Sequence, residues 1–379
     1  QRQMCIRDST EWKDYKINII DTPGFDDFVG EMLSALRVAD TCVMVINAQN
    51  GVEVGTELIW NYVDRFKKPI IFAVNQVDHP KSDFDSALAS LKNSYGNAVT
   101  QMQYPVNQGE NFNAIIDLLK MVMYKFAASG GKPEKLPIPE SEKEKANQLH
   151  SELVEKAAEN DEKLMEKYFE QGTLDEDEMR QGIKLGMIHH HVFPVFVMSA
   201  KRNMGSGRMM GFIDNVAPTP REAKPERTTD GKEIPFDTTQ PTALFVFKSQ
   251  LELNLGKLSF FKVISGEVTS NSELINSQTG ALERFHSLFN MDGKNRNPVD
   301  KLVAGDIGAT LKLKDTYTNQ TLHTKGFDVT IDPIVFPEPR IRTAVIAKTK
   351  TDDEKIGEVL AKIHQEDPTI TVEFSKELK

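Results

Sequence analysis

Cysteine and tryptophan are scarce in this chain, with two of each among 379 residues. Cys5 and Cys42 cannot make a disulfide framework, and Cys42 sits in an apolar run suited to a buried strand, so a reducing, cytoplasmic compartment is expected. No run of about 18 apolar residues occurs, so neither a membrane span nor a membrane partner is expected. The first nine residues lack the apolar centre of a signal peptide. Positive charge is also short: 46 Lys and Arg against 56 Asp and Glu leave a net charge of −10. That excludes nucleic-acid affinity from overall charge, though not a local basic face that docks on RNA. Residues 1–8 show no period and are expected to be unstructured and foreign to the rest of the protein, while the pattern from Ser9 to Ile20 suits a strand pair. The remainder, in a chain 39% hydrophobic and 27% charged, is ordinary globular protein of two or three domains.

Ile17-Asn18-Ile19-Ile20-Asp21-Thr22-Pro23-Gly24 is the stretch around which the chain is organised. Its β-branched residues predict a buried strand, and Pro23 and Gly24 break it. An acid at the carboxyl end of a strand is where open α/β sheets hold ligands, and in nucleotide hydrolases an Asp at this place holds Mg²⁺. Gly24, without a Cβ, lets a phosphate approach its amide. Taken alone the tetrapeptide reads equally well as a strand followed by a turn.

Downstream, helix is predicted over 25–39, strand over 41–46, helix over 56–66 and strand over 69–74, an alternation that means a parallel, doubly wound sheet. A further strand over 192–198 ends on Ser199-Ala200-Lys201. The roughly 120 residues before it exceed any crossover and predict an inserted α/β subdomain. Within it helix is expected over 84–91, strand over 97–105, helix over 114–126, a linker over 130–140, one long charged helix over 141–170 and another over 175–186. His189, His190 and His191 are adjacent and would alternate faces, which disfavours a shared metal. A helix over 209–216 and a charged linker over 218–235 come next. Short strands from 243 to 313 then predict a small β-barrel. Strand 341–348, helix 351–366 and strand 370–373 make half of a β-α-β-β-α-β unit.

Three strand ends carry ligand-type residues. In Asn75-Gln76-Val77-Asp78 the second acid can accept from guanine N1–H and its exocyclic amine, while Asn75 ties neighbouring loops. The Ser199-Ala200-Lys201 turn offers a backbone N–H to guanine O6. Such paired readout rejects adenine, because a mismatched base leaves buried polar groups unpaired.

In this order the motifs resemble those of the translational GTPases, and most closely elongation factor G, over residues 9–379. The resemblance implies a partial GTPase domain over 9–220 with an inserted subdomain at about 90–190, a β-barrel domain over 236–326, and an incomplete ferredoxin-like α+β domain over 333–379. Ser265-Gly266-Glu267-Val268, Ala304-Gly305-Asp306-Ile307-Gly308 and Pro333-Ile334-Val335-Phe336-Pro337-Glu338-Pro339 carry it through the later domains. It further implies GTP or GDP and Mg²⁺ as cofactors. Asp21 would hold the ion, Thr22, Pro23 and Gly24 the phosphate side, and Asn75, Gln76, Asp78, Ser199, Ala200 and Lys201 the base. The implied partner is the ribosome, and the implied function is translocation.

Four departures qualify this. No Gly-x-x-x-x-Gly-Lys-Ser/Thr occurs and the first-switch Thr is missing, which predicts N-terminal truncation. Phe25 stands where the family has a water-orienting His; a phenyl ring cannot hydrogen-bond water, so hydrolysis is expected to be impaired. Gln76 replaces a Lys whose stem covers guanine, which predicts weaker affinity with specificity retained. Finally, the chain is expected to stop inside the third domain. Enzyme activity of these 379 residues is therefore not expected. Alternatives are a ribosomal protection factor of the tetracycline-resistance kind, a non-hydrolysing ribosome-binding paralogue, and an inert fragment.

Overall fold

In the computed structural model the described residues are 7–13, 15–24, 28–252, 256–339, 341–346 and 349–373. Two units form, one from 1–38 with 224–379 and the other from 39–223.

The first unit opens on a hairpin of β1 (Arg7–Trp12) and β2 (Tyr15–Ile20), joined through Lys13 at φ +54°. This bears out the strand pair expected over 9–20 and corrects two other expectations. Residues 7 and 8 are strand rather than unstructured, residues 1–6 lying outside the described residues, and among the described residues β2 pairs with β1 alone instead of lying buried in the parallel sheet. Ile19 is 43% exposed. A neighbour reached through a tight turn costs little loop-closure entropy, so the local partner wins. Within the unit Lys16 of β2 donates to Asn290 and pairs with Asp306 at 3.2 Å. The helix expected over 25–39 is α1 (Val29–Val38), buried from Met32 to Val38.

The second unit carries the parallel sheet. Its elements are β3 (Cys42–Asn47), α2 (Val54–Phe66), β4 (Ile70–Asn75), α3 (Phe84–Tyr95) and β5 (Val99–Gln101). Next come β6 (Gln103–Pro105), β7 (Ala114–Asp117), β8 (Val122–Lys125) and β9 (Glu134–Leu136). Then come α4 (Glu140–Ala158), α5 (Glu162–Gln171), α6 (Glu176–Ile188), β10 (Phe193–Val197) and α7 (Ser206–Asn215). The order β3-β4-β10-β5 is parallel throughout, and β4 is sealed on both faces, with Ile70 to Val74 at 0% exposure. Continuous apolar strands belong in such a place. Trp60 of α2 stacks on Tyr95 of α3 with centroids 4.0 Å apart, which closes one side of the sheet. Burial there pushes the Tyr95 phenol up to about 12.

The insertion corrects the expected pattern. Residues 114–126 form the β7–β8 hairpin of a four-stranded antiparallel sheet, β6-β7-β8-β9, not a helix. A short apolar run is compatible with either period, and the turn with Met121 at φ +50° decides for strand. The expected linker likewise contains β9. The long helix over 141–170 is two, because Asp161 accepts from the N–H groups of Lys163 and Leu164 and starts α5 afresh.

The histidine run ends α6. His190 sits at φ +63° with its ring edge-on to Phe193. Burial holds its pKa below the usual 6.5. As pH falls past 6.5 the unfolded chain therefore takes up this proton first, so stability is full above that pH and declines below it. His190→Asn keeps a residue tolerant of φ > 0 and removes the titration. Between about pH 7.5 and 5.5, a window spanning the ordinary histidine range, the variant is expected to lose less stability than the parent in denaturant melts read from Trp60. Equal losses would refute the assignment.

In the first unit, β11 (Glu226–Arg227) and β12 (Glu233–Ile234) pair inside the expected linker. The barrel segment comprises β13 (Ala243–Glu252), β14 (Gly256–Ser265), β15 (Glu267–Thr269), β16 (Glu273–Asn276), β17 (Leu282–Arg284) and β18 (Leu288–Asp292). It continues through β19 (Asn295–Val299), β20 (Lys301–Val303), β21 (Ile307–Leu311) and β22 (Gln320–His323). Eight strands run in the order β17-β16-β22-β13-β14-β21-β18-β19. Leu274 from one end and Leu288 from the other meet Phe261, Val263 and Leu322 in a single core, so the sheet curls on itself. Pro298 sits in the edge strand β19, where its missing N–H costs no ladder bond. Of the last expected strand-helix-strand, only the helix α8 (Lys350–Glu366) forms among the described residues; 341–346 and 370–373 have no strand partner there.

Candidate functional site

β4 and β10 lie side by side, so their carboxyl ends deliver two loops to one place. The first loop leaves β4 at Asn75. Gln76 takes φ +64°, a left-handed conformation that costs a non-glycine residue about 1–2 kcal/mol and ends the strand. Val77 is then fully buried, and its carbonyl accepts from Gly109 N–H at 2.9 Å and from the Ser82 hydroxyl at 2.8 Å. This pins the backbone immediately before Asp78.

The second loop leaves β10 through Met198, whose N–H reaches the Val74 carbonyl at 2.9 Å. Ser199 and Met204 exchange backbone hydrogen bonds of 2.9 and 3.0 Å, which closes residues 199–204 into a tight loop. Ser199 is fully buried and its hydroxyl accepts from Arg202 N–H at 3.2 Å. Ala200 and Lys201 stand exposed at the tip.

Asn75 joins the two loops: its Oδ1 accepts from Ala200 N–H at 2.9 Å. Asp78 faces Arg202, with Nε 3.4 Å from Oδ2, and its side chain is 11% exposed. Asn75, Gln76, Asp78, Ser199, Ala200 and Lys201 thus gather at one end of one sheet. The chemistry available is a carboxylate that accepts two donors beside a loop with backbone N–H groups, which matches the donor edge and the O6 of guanine.

Sequence reasoning misses Arg202. Its only signal there is a cation directly after Ser199-Ala200-Lys201, and spacing alone cannot aim it at Asp78.

Asp21, Thr22, Pro23 and Gly24 belong to the first unit, so of the residues expected to hold a nucleotide only those expected at the base gather within the second. Asp21 and Thr22 are exposed in irregular backbone just past β2. Phe25 lies outside the described residues. Among the described residues no group of three or more His, Cys, Asp or Glu could hold a metal ion. Asp21 by itself does not build a magnesium site.

Gly24 is informative in another way. Among the described residues a Cβ added there would meet nothing within 4 Å, so their packing does not require glycine at this position. Gly24→Ala is expected to leave unfolding free energy within about 0.5 kcal/mol of the parent. A loss above about 1 kcal/mol in a denaturant melt would instead make Gly24 a structural residue.

Three family models match the chain in succession. Residues 4–219 match the model described as the elongation factor Tu GTP binding domain. Residues 241–325 match elongation factor G domain 2, and 336–379 match elongation factor G domain III. A solved structure of a Thermus thermophilus protein superposes with a TM-score of 0.86 at 23% identity, over 99% of this chain and 54% of that one. The chain therefore spans about half the length of that protein, which it resembles in fold. With the nucleotide-domain model covering more than half of its residues, and two elongation factor G domains following in order, the chain belongs to the translational GTPases of elongation factor G type.

Proposed function

We propose that the second unit is a guanine reader. Asp78 accepts the N1–H and 2-amino hydrogens of the base, the tip of the Ser199-Ala200-Lys201 turn offers a backbone N–H to O6, and Asn75, occupied with Ala200 N–H, holds the two loops at the right separation. The observation that carries this reading is the 2.9 Å bond from Ala200 N–H to Asn75, which sets the Ser-Ala loop beside Asp78. Gln76, exposed at the strand end, is placed to cover one face of the base, and Lys201 to shield the rim. By resemblance Asp21 and Gly24 are assigned to the phosphate side, with Asp21 a single candidate ligand for a nucleotide-borne Mg²⁺.

The test is equilibrium binding of GDP, IDP and ADP to the 379-residue chain. GDP is expected to bind at least about tenfold more tightly than IDP and more tightly still than ADP, since each unpaired buried group costs about 1–3 kcal/mol. Equal affinities for the three, or none measurable, would overturn the reading.

At the level of the whole factor, the order of a nucleotide domain, a β-domain and the third domain supports a ribosomal partner and a role in translocation. Co-sedimentation with ribosomes in the presence of guanine nucleotide tests the partner, and its absence would count against it. Phe25 favours a second reading inside the same class: a factor that works by binding, with hydrolysis slow or absent. Fast GTP turnover, equal with and without ribosomes, would sink that version.

A further inference from the structure

We propose that Arg202 is a positioning residue for guanine discrimination: it fixes the Asp78 carboxylate and fastens it to the inserted segment. This rests on the guanine reading above.

Four contacts immobilise the Arg202 region. Its backbone N–H donates to Ser199 Oγ at 3.2 Å, and its Nη1 donates to the Glu110 carbonyl at 2.8 Å. Its Nε lies 3.4 Å from Asp78 Oδ2. The next residue, Asn203, accepts at its carbonyl from Gly131 N–H at 2.9 Å. Gly130 approaches the loop closely: a Cβ there would stand 1.7 Å from the Arg202 carbonyl oxygen. Gly130, at φ +71°, is the residue type this approach demands.

The guanidinium is thus braced between a main-chain carbonyl and the acid. Glu110 and Gly130 both come from the segment between β4 and β10, so the insertion holds the base-reading loop from behind. A carboxylate offers about four lone-pair sites. The ion pair with Arg202 leaves lone pairs for the two donors of guanine, and it holds the carboxylate against rotation out of the plane those donors need. Discrimination by the 2-amino group depends on that plane. Inosine lacks this amine and needs only one of the two bonds.

The experiment compares dissociation constants of GDP and IDP for the unmodified chain, Arg202→Met and Arg202→Lys. Arg202→Met is expected to lower the GDP preference about tenfold, the scale of coupling between two groups of one ion-pair network. Arg202→Lys keeps the charge without the fork and is expected to restore only part. A purely structural role would weaken both nucleotides equally and leave their ratio unchanged, which would overturn the proposal. Tighter GDP binding by Arg202→Met would also overturn it, by showing that Arg202 competes with the base. If the unmodified chain shows no preference for GDP, the guanine reading fails and this inference fails with it. A preference that Arg202→Met leaves intact removes the inference alone.

Discussion

Asp78→Asn is expected to weaken GDP binding by about 10³-fold or more while allowing xanthosine diphosphate to bind. The side-chain amide keeps one acceptor for N1–H, but its NH₂ then faces the 2-amino group of guanine, donor against donor. Xanthine carries a carbonyl at that position and accepts from the same NH₂. The new amide also loses its ion pair with Arg202, now 3.4 Å from Nε to Oδ2. Val77, buried beside it, is held by backbone and Ser82 contacts that the substitution does not touch, so the loop should persist. Competition between GDP and XDP measures the switch. A variant that still prefers GDP would remove Asp78 from the base site.

The second large effect is on stability. Arg37, near the end of α1, pairs with Glu226 at 2.6 Å, with the side chains only 10% and 8% exposed. Its Nη2 also donates to the Asp332 carbonyl at 3.2 Å, and its guanidinium lies over the Phe245 ring at 5.2 Å. Fully buried Lys262 donates to the Val38 carbonyl at 2.8 Å, and Lys248 pairs with Glu31. Three cations of one unit thus fasten the helix that lies beyond the Asp21–Gly24 loop. Glu226→Ala strands the Arg37 charge and is expected to cost about 3–5 kcal/mol. Arg37→Met with Glu226→Leu removes both charges and should recover most of that loss, because the desolvation cost disappears with the pair. Chemical unfolding in a Trp60→Phe background reads this unit through Trp12. Equal losses in the single and the double variant would mean that packing, not the charge, sets the stability.

The sequence displayed the cluster from Asn75 to Asp78 and Ser199 to Lys201 more plainly than the place of Asp21 to Gly24, for a physical reason. Asn75, Asp78, Ser199 and Ala200 follow apolar strands whose parallel pairing is dictated by burial on both faces, so the strand ends must converge. Asp21 follows a strand with half-exposed isoleucines and a ready antiparallel neighbour in residues 7–12, and the local pairing prevails. Residues 114–126 misled because four successive buried residues carry no period. The long charged run over 141–170 concealed a break, visible only through Asp161 acting as a cap. Arg202 could not be found by spacing, since its direction depends on how Gly130 and Glu110 of the insertion press on the loop.

The decisive measurement is the amide NMR spectrum of the chain titrated with GDP and, separately, with ADP. The base-reading geometry predicts that Ala200, Lys201, Gln76 and Val77 shift with GDP and stay still with ADP at the same concentration. Shifts of equal size with both nucleotides, or none at these residues, would contradict it.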